Sequence, residues 1–311
     1  MRPPPPSFAI LGAGALGGYY GARLALAGAD VRFLVRRDPA GARARGLTLR
    51  EKAGVSRLPR LAAFAAPEEI GPVDVVLVTL KTTANAALAR LVPPLLGPDT
   101  SVVTLQNGLG NEELLAGLVG AGRVLGGLCF IAVNRGAPGE LVGYHTPGSV
   151  TLGEFGRPAA ARTRALAAWF ERAGVRCPAV DDLAAARWRK LVWNIPFNGL
   201  AIAAGGLTTD RLLADPALAA EVRALMDEIA GAARRLGHVI TEEFLQEQID
   251  LTPPMGPYRP SSLVDYLGGR EVEVEAIWGE PLRRARSAGA SVPRLERLYA
   301  RLQELTAKGR R

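Results

Sequence analysis

Lys190, Asn194 and Asn198 stand four residues apart in the segment Trp188-Arg189-Lys190-Leu191-Val192-Trp193-Asn194-Ile195-Pro196-Phe197-Asn198. On a helix this spacing stacks one amine and two amides on a single face. The residues around the amides are apolar, so solvation does not explain them, and buried amides need hydrogen-bond partners. A polar ligand could supply those partners; so could internal amide bonds in a capped, kinked core helix. Pro196 is expected to kink the helix and free a carbonyl. Only six asparagines occur in the whole chain, and two on one helical face count towards a ligand. Of 38 basic residues, 34 are arginine and four are lysine: Lys52, Lys81, Lys190 and Lys308. A lysine can be tuned to release a proton near neutral pH and an arginine cannot. Lys81 and Lys190 are therefore candidates for proton chemistry, and Lys308 reads as an exposed charge.

A second constellation lies near the N-terminus, in Gly12-Ala13-Gly14-Ala15-Leu16-Gly17. It follows an apolar strand-like run and opens a small-residue helical segment, which is the context a dinucleotide-binding glycine loop requires. Gly12 permits the tight turn, Gly14 lets backbone approach a pyrophosphate, and Gly17 lets helix pack on strand. The helix start at Ala15 and Leu16 offers its amides to phosphate. About 20 residues on, a site for NAD carries an acidic residue that binds the ribose 2′-hydroxyl. This chain has Val35-Arg36-Arg37 there instead. A guanidinium grips a 2′-phosphate through paired hydrogen bonds, so NADP is the expected cofactor and Arg36 its expected discriminator.

The third segment is Pro260-Ser261-Ser262-Leu263-Val264-Asp265, followed by Gly269-Arg270-Glu271-Val272-Glu273-Val274-Glu275. Ser262 and Asp265 could form a helix-capping pair, and the three alternating glutamates could be a helix or strand face in water.

Taken in order, these motifs resemble those of the ketopantoate reductase (2-dehydropantoate 2-reductase) family over essentially the full chain. The resemblance rests on Gly12–Gly17, Thr79-Leu80-Lys81, Gln106-Asn107-Gly108-Leu109-Gly110, the Trp188/Lys190/Asn194/Asn198 helix, and Pro260-Ser261 with Gly269-Arg270 and Glu273. It implies an NADP-dependent reductase of a 2-oxo acid in the route to pantothenate, with substrate between two domains. By matching positions, Lys190 looks like the proton donor to the carbonyl oxygen and Glu273 like its acidic partner at the substrate hydroxyl. Asn194 and Asn198 look like substrate-orienting amides, Ser261 like the group that meets the substrate carboxylate, and Lys81 and Asn107 like residues lining the site near the nicotinamide. The chemistry agrees: hydride addition creates an alkoxide, which an ammonium both stabilises and protonates. Three places depart from the family pattern: Ser262-Leu263-Val264 after Ser261, Trp278 before Gly279, and Ala84. These read as walls of the site, and they leave ketopantoate or another 2-oxo acid as substrate. A non-catalytic NADP sensor would need the glycine loop and Arg36 but not Lys190 with Glu273.

The elements that must position these residues alternate in the first half. Ser7–Leu11, Val31–Val35, Val73–Thr79 and Ser101–Leu105 read as strands, with helical stretches at 12–28 and 85–96, so parallel βαβ units are expected. Residues 47–64 read as a hairpin or irregular crossover, and 124–155 as strand-rich. After Asp181 the pattern turns to long Ala/Leu/Arg-rich helices. The expected fold is an α/β Rossmann-type N-terminal domain followed by an all-α C-terminal domain, divided as 1–180 and 181–311. At 311 residues, two domains are the natural expectation.

Composition excludes several classes. Hydrophobic residues at 48% and charged residues at 22% are ordinary for a globular protein. Two cysteines and two histidines leave no disulfide scaffold, and no metal site is expected. The formal charge of +8 comes without a dense basic run, so small anions rather than nucleic acid are the expected partners. The Met1–Pro6 opening reads as a short stiff tail, and no secretory signal is expected. The uncharged stretch 191–209 is interrupted by Asn and Pro, so a buried helix fits better than a membrane span. The protein is thus expected to be cytoplasmic, and the apolar C-terminal helices would allow a homodimer. His145 and His238 read as structural, Cys129 and Cys177 as buried thiols, and Trp169 and Trp188 as core.

Overall fold

Strand β1 (Ser7–Leu11) sends alternate side chains to opposite faces: Phe8 and Ile10 join one apolar cluster, Ala9 and Leu11 another. Both faces are covered, so the strand is apolar throughout, as in a parallel sheet flanked on both sides. The remaining strands are β2 (Asp30–Leu34), β3 (Leu47–Glu51), β4 (Gly54–Leu58), β5 (Ala62–Phe64), β6 (Val73–Val78), β7 (Leu96–Thr104), β8 (Val124–Arg135), β9 (Glu140–Glu154) and β10 (Ala179–Val180). In the computed structural model, which describes residues 4–308, they form one sheet in the order β4-β3-β9-β8-β7-β6-β1-β2-β5, with β10 on β9. Met1, Arg2 and Pro3 of the expected tail, and the side chains of His145 and Lys308, lie outside the described residues.

The run β5-β2-β1-β6-β7-β8 is parallel throughout, whereas β3–β4 and β8–β9 are antiparallel. This is the doubly wound order, with its topological switch between β1 and β6. The 47–64 segment resolves into the β3–β4 hairpin at one edge and β5 at the other. The helix expected over 85–96 is broken instead: a 3₁₀ stretch Thr82–Ala87, one α-turn Leu88–Leu91 and a second 3₁₀ stretch Pro93–Leu95. Pro93 and Pro94 lack the N–H groups a continuous helix needs.

Contacts divide the chain into two units: Met1–Gln106 with Asn111–Leu183, and Asn107–Gly110 with Ala184–Arg311. In the first, the Ala15–Leu26 helix is tied to β3 by Glu51, which accepts from Tyr19 Oη (2.6 Å) and Arg23 Nη2 (2.6 Å). Cys177 is buried, and burial pushes its thiol up. Cys129 is only half-buried, contrary to expectation, because β8 is covered incompletely there beside exposed Phe130. Trp169 is likewise only half-buried, lying under the Arg172 guanidinium, while Trp188 is core.

Glu154, at the end of β9, has a fully buried side chain that accepts from Arg162 Nε (2.9 Å), Thr163 Oγ1 (2.6 Å) and Arg157 Nη2 (3.0 Å). Burial raises its carboxyl, but the hydrogen bonds from Arg162, Thr163 and Arg157 outweigh that and hold it at about 2, against an ordinary 4.5. A depressed folded-state value contributes stability above pH 4.5 that is lost as pH falls towards 2. Glu154→Gln is expected to lose about 2–3 kcal/mol near neutral pH. Urea melts at pH 7 and pH 3 check this: the gap between wild type and variant should narrow at the lower pH.

The second unit is helical: Leu183–Ala203, Thr209–Ala214, Pro216–Arg235, Glu242–Asp250, Ser261–Leu267, Glu280–Ser287 and Pro293–Lys308. Asp215 caps the third of these through the amides of Ala217 and Leu218, with Pro216 at the first helical position. After the same helix Gly237 takes φ +88°, and the His238 amide closes the end on Ala233 O. The core gathers Trp188, Val192, Ile195, Met226, Trp278 and Leu295, together with Leu109 from the 107–110 segment. No helix among the described residues is long and apolar enough to cross a membrane. Mixed α/β sheet followed by helices is the architecture expected from the sequence.

Candidate active site

In the first unit the glycine loop sits at the switch between β1 and β6. Gly12 has φ +108°, and a Cβ there would lie 2.6 Å from Leu80 N and 2.8 Å from the Thr79 carbonyl carbon. Gly17 is as tightly enclosed: a Cβ would meet Thr79 Oγ1 at 2.2 Å and Gly12 O at 2.3 Å. Thr79 Oγ1 in turn donates to Gly12 O (2.8 Å) and Leu11 O (3.1 Å), lacing the two strand ends together. Gly14 differs, since a Cβ there would find nothing nearer than Gly12 O at 4.0 Å. Its open side and the uncapped start of the Ala15–Leu26 helix fit the dense negative charge of a pyrophosphate. The loop residues Gly12, Gly14, Ala15, Leu16 and Gly17 therefore suit a dinucleotide.

Arg36 and Arg37 follow β2 and are exposed. The first acidic residue after β2 is Asp38, which the sequence reading passed over. Its carboxylate caps its own helix at Gly41 N (2.9 Å) and pairs with Arg45 Nη2 (2.8 Å). The Arg45 hydrogen bond and then the Gly41 amide lower its carboxyl. Lys81 is exposed at the start of the Thr82–Ala87 turn. Next to it runs a partly buried amide network that the sequence motifs do not reveal. Gln106 Nε2 donates to Leu80 O (2.9 Å) and Asn85 Oδ1 (2.7 Å), and Asn85 Nδ2 donates to Asn111 Oδ1 (3.0 Å). Three of the chain's few amides clustered near two strand ends were the available signal.

In the second unit Lys190, Asn194 and Asn198 lie along the Leu183–Ala203 helix and are all buried. Lys190 Nζ donates to Asn107 Oδ1 at 2.8 Å, joining residues 83 positions apart. Asn198 Oδ1 accepts from the Ser262 amide at 3.0 Å. That bond overturns the capping-pair expectation. Ser262 and Asp265 are inside the Ser261–Leu267 helix, Pro260 occupies the cap position, and Asn198 caps the helix start from another helix. Asp265 serves Arg270 instead, at 3.0 Å. Ser261, at the first position of that helix, is exposed.

Glu273 is buried, while Glu271 and Glu275 are exposed, so the three do not form one face in water. The chain turns from irregular to π-helical across this stretch, and strand or helix alternation is not maintained. Trp278 is wholly buried with Nε1 donating to Ile195 O (3.0 Å), and the buried Ser262 donates its amide to Asn198.

The Asn107 acceptor oxygen fixes the direction of the buried Lys190 amine. A group of this kind can give a proton to an oxygen anion formed beside it, and buried amides and a carboxylate can orient the molecule carrying that oxygen. Among the described residues no group of three or more His, Cys, Asp and Glu side chains could hold a metal ion.

The chain was compared with known proteins. The profile described as ketopantoate reductase PanE/ApbA matches residues 8–157, and that of the ketopantoate reductase PanE/ApbA C terminal matches 182–306. A 2-dehydropantoate 2-reductase of Nostoc sp. is 40% identical over 309 residues, covering 97% of this chain and 96% of that protein. Among solved structures, the 2-dehydropantoate 2-reductase of Geobacter metallireducens superimposes with a TM-score of 0.92 at 44% identity, covering 96% of this chain and 99% of that one. That of Methylococcus capsulatus gives 0.89 at 33% identity, with 98% of each chain covered.

Proposed function

Since the chain belongs to the ketopantoate reductase family and is an oxidoreductase acting on a CH–OH group, we propose that it reduces 2-dehydropantoate to pantoate with NADPH, using Lys190 as proton donor. The observation that carries this reading is the buried Lys190 ammonium held on Asn107 at 2.8 Å. Burying an amine is costly unless it is paired or used, and a protein that only sensed NADP would have no need of one.

NADPH, when bound, supplies the hydride to the C2 carbonyl. Gly12, Gly14, Ala15, Leu16 and Gly17 would hold its pyrophosphate, Arg36 its 2′-phosphate, and Lys81 and Asn107 would stand towards the nicotinamide. As the carbonyl becomes an alkoxide, Lys190 neutralises the developing charge and delivers its proton to that oxygen. Asn107 keeps the ammonium pointed while it waits. Glu273 would accept from the substrate hydroxyl, Asn194 and Asn198 would orient the chain of the substrate, and Ser261 would donate to its carboxylate. Of the departures from the family pattern, Ser262 and Trp278 are buried, while Val264 and Ala84 are half-buried; a paralogous 2-oxo acid reductase with another substrate is the second reading.

The test is consumption of NADPH by the purified protein with 2-dehydropantoate, beside pyruvate-like 2-oxo acids. Turnover is expected with 2-dehydropantoate at a kcat/KM at least about tenfold above the others, a margin a few contacts to the hydroxyl and carboxylate can supply. Turnover of a different 2-oxo acid in preference would reject the substrate assignment, and tight NADPH binding with no turnover would reject the enzyme mechanism.

A further inference from the structure

The π-helical turn Glu275–Gly279 runs directly into the Glu280–Ser287 helix. In this register Glu280 N donates five residues back, to Glu275 O. The next N–H would reach Ala276 O, but position 281 is proline and has none. The Ala276 carbonyl is thus freed from its own helix, and it accepts from Leu109 N at 2.9 Å. Gly108 lies flat against the same peptide. Its φ is +82°, and a Cβ would fall 2.2 Å from Ala276 O and 2.4 Å from Ala276 C. Asn107, one residue earlier, carries the acceptor for Lys190 Nζ. The turn holds the other partner too, because Trp278 Nε1 donates to Ile195 O on the helix that bears Lys190.

We infer that the π turn 275–279 is the frame that positions the proton donor, with Gly108 and Pro281 as positioning residues. One side of it grips the Asn107 segment through Ala276 O, and the other grips the Lys190 helix through Trp278. A lysine amine on a flexible four-carbon stem needs such a frame, since its own rotamer freedom works against one fixed direction. Isolated π turns in helices are frequent at functional sites, and here Pro281 gives the turn a use: it leaves one backbone oxygen for a segment far away in sequence. The inference rests on the proposed role of Lys190, and its tests are chosen to fail separately from it.

In the purified protein, Gly108→Ala should lower kcat about 10–100-fold, the size expected of a roughly 1 Å misplacement. The double variant Gly108→Ala/Asn107→Ala should be no slower than Asn107→Ala alone, because both remove the same contact. Pro281→Ala adds no bulk at the clasp but restores an N–H that competes for Ala276 O, and should cost about 3–10-fold in kcat by the same displacement. It covers the case in which Gly108→Ala does not fold. Wild-type kcat in either folded variant, or multiplicative losses in the double variant, would overturn the inference.

A readout independent of turnover separates this from the functional proposal. With six asparagines in the chain, the side-chain amide of Asn107 can be assigned in a ¹⁵N spectrum by its loss in Asn107→Ala. Its signal should move in Pro281→Ala and in Lys190→Ala alike. An unmoved signal in Pro281→Ala overturns the frame even if the enzyme turns over; a moved signal in a protein inert to 2-oxo acids supports the frame and counts against the proposed reaction.

Discussion

Lys190→Ala is expected to lower kcat about 10²–10⁴-fold, the usual worth of a positioned general acid, with NADPH affinity left within about threefold. The loss falls on kcat because the ammonium matters most when the oxygen carries charge, which is in the transition state and not in the bound ketone. Lys190→Arg separates the two parts of the role. Arginine keeps the positive charge but holds its proton too tightly to release it. It should therefore recover part of the electrostatic term and none of the proton transfer, and remain at least about tenfold below wild type. Single-turnover measurements with NADPH and 2-dehydropantoate read this directly. Retention of wild-type turnover by Lys190→Ala would remove the mechanism, whatever the substrate proves to be.

The other large effect concerns cofactor choice. Arg36→Ala should weaken NADPH about 10–100-fold, as the loss of a charge-assisted pair of hydrogen bonds to phosphate implies, and should leave NADH almost unchanged. The structure sharpens this expectation in one respect. Asp38, the acidic residue near enough to β2 to be mistaken for a ribose ligand, has its carboxylate committed to Gly41 N and Arg45. The exposed side chains directly after β2 are the two arginines and Asp38, whose carboxylate is already paired with Arg45. Titration of each cofactor by fluorescence, on wild type and variant, decides the point. Equal weakening of both cofactors would mean that Arg36 acts on the shared part of the molecule, and the 2′-phosphate argument would fall.

Much of the molecule was legible from local pattern. The glycine loop could be placed because its three glycines have three separate steric reasons, and those at Gly12 and Gly17 reappear as sub-3 Å approaches to Thr79, Leu80 and Gly12 itself. Lys190, Asn194 and Asn198 could be grouped because four-residue spacing is a property of any helix. The break at Pro93-Pro94 is legible in the same way, since two prolines remove two helix donors.

The misreadings concern residues whose partners lie far off in the chain. Ser262 looked like a cap because caps are normally local, but its amide is capped by Asn198, 64 positions away. Trp278 stands out in the sequence only as a departure from the family pattern; its burial and its N–H bond to Ile195 O come from packing. Sequence spacing alone determined the strand–glycine–helix loop, the order of sheet and helical parts, and the single face that carries Lys190 and its two amides, because each is set by backbone period within a few turns. Tertiary structure alone decided that Asn107 meets Lys190, that Asn198 holds Ser262, and that the Ala276 carbonyl is free to hold Leu109. Each of those is a choice of partner for a buried polar group, made by the packing of distant segments, and no one-dimensional period encodes it.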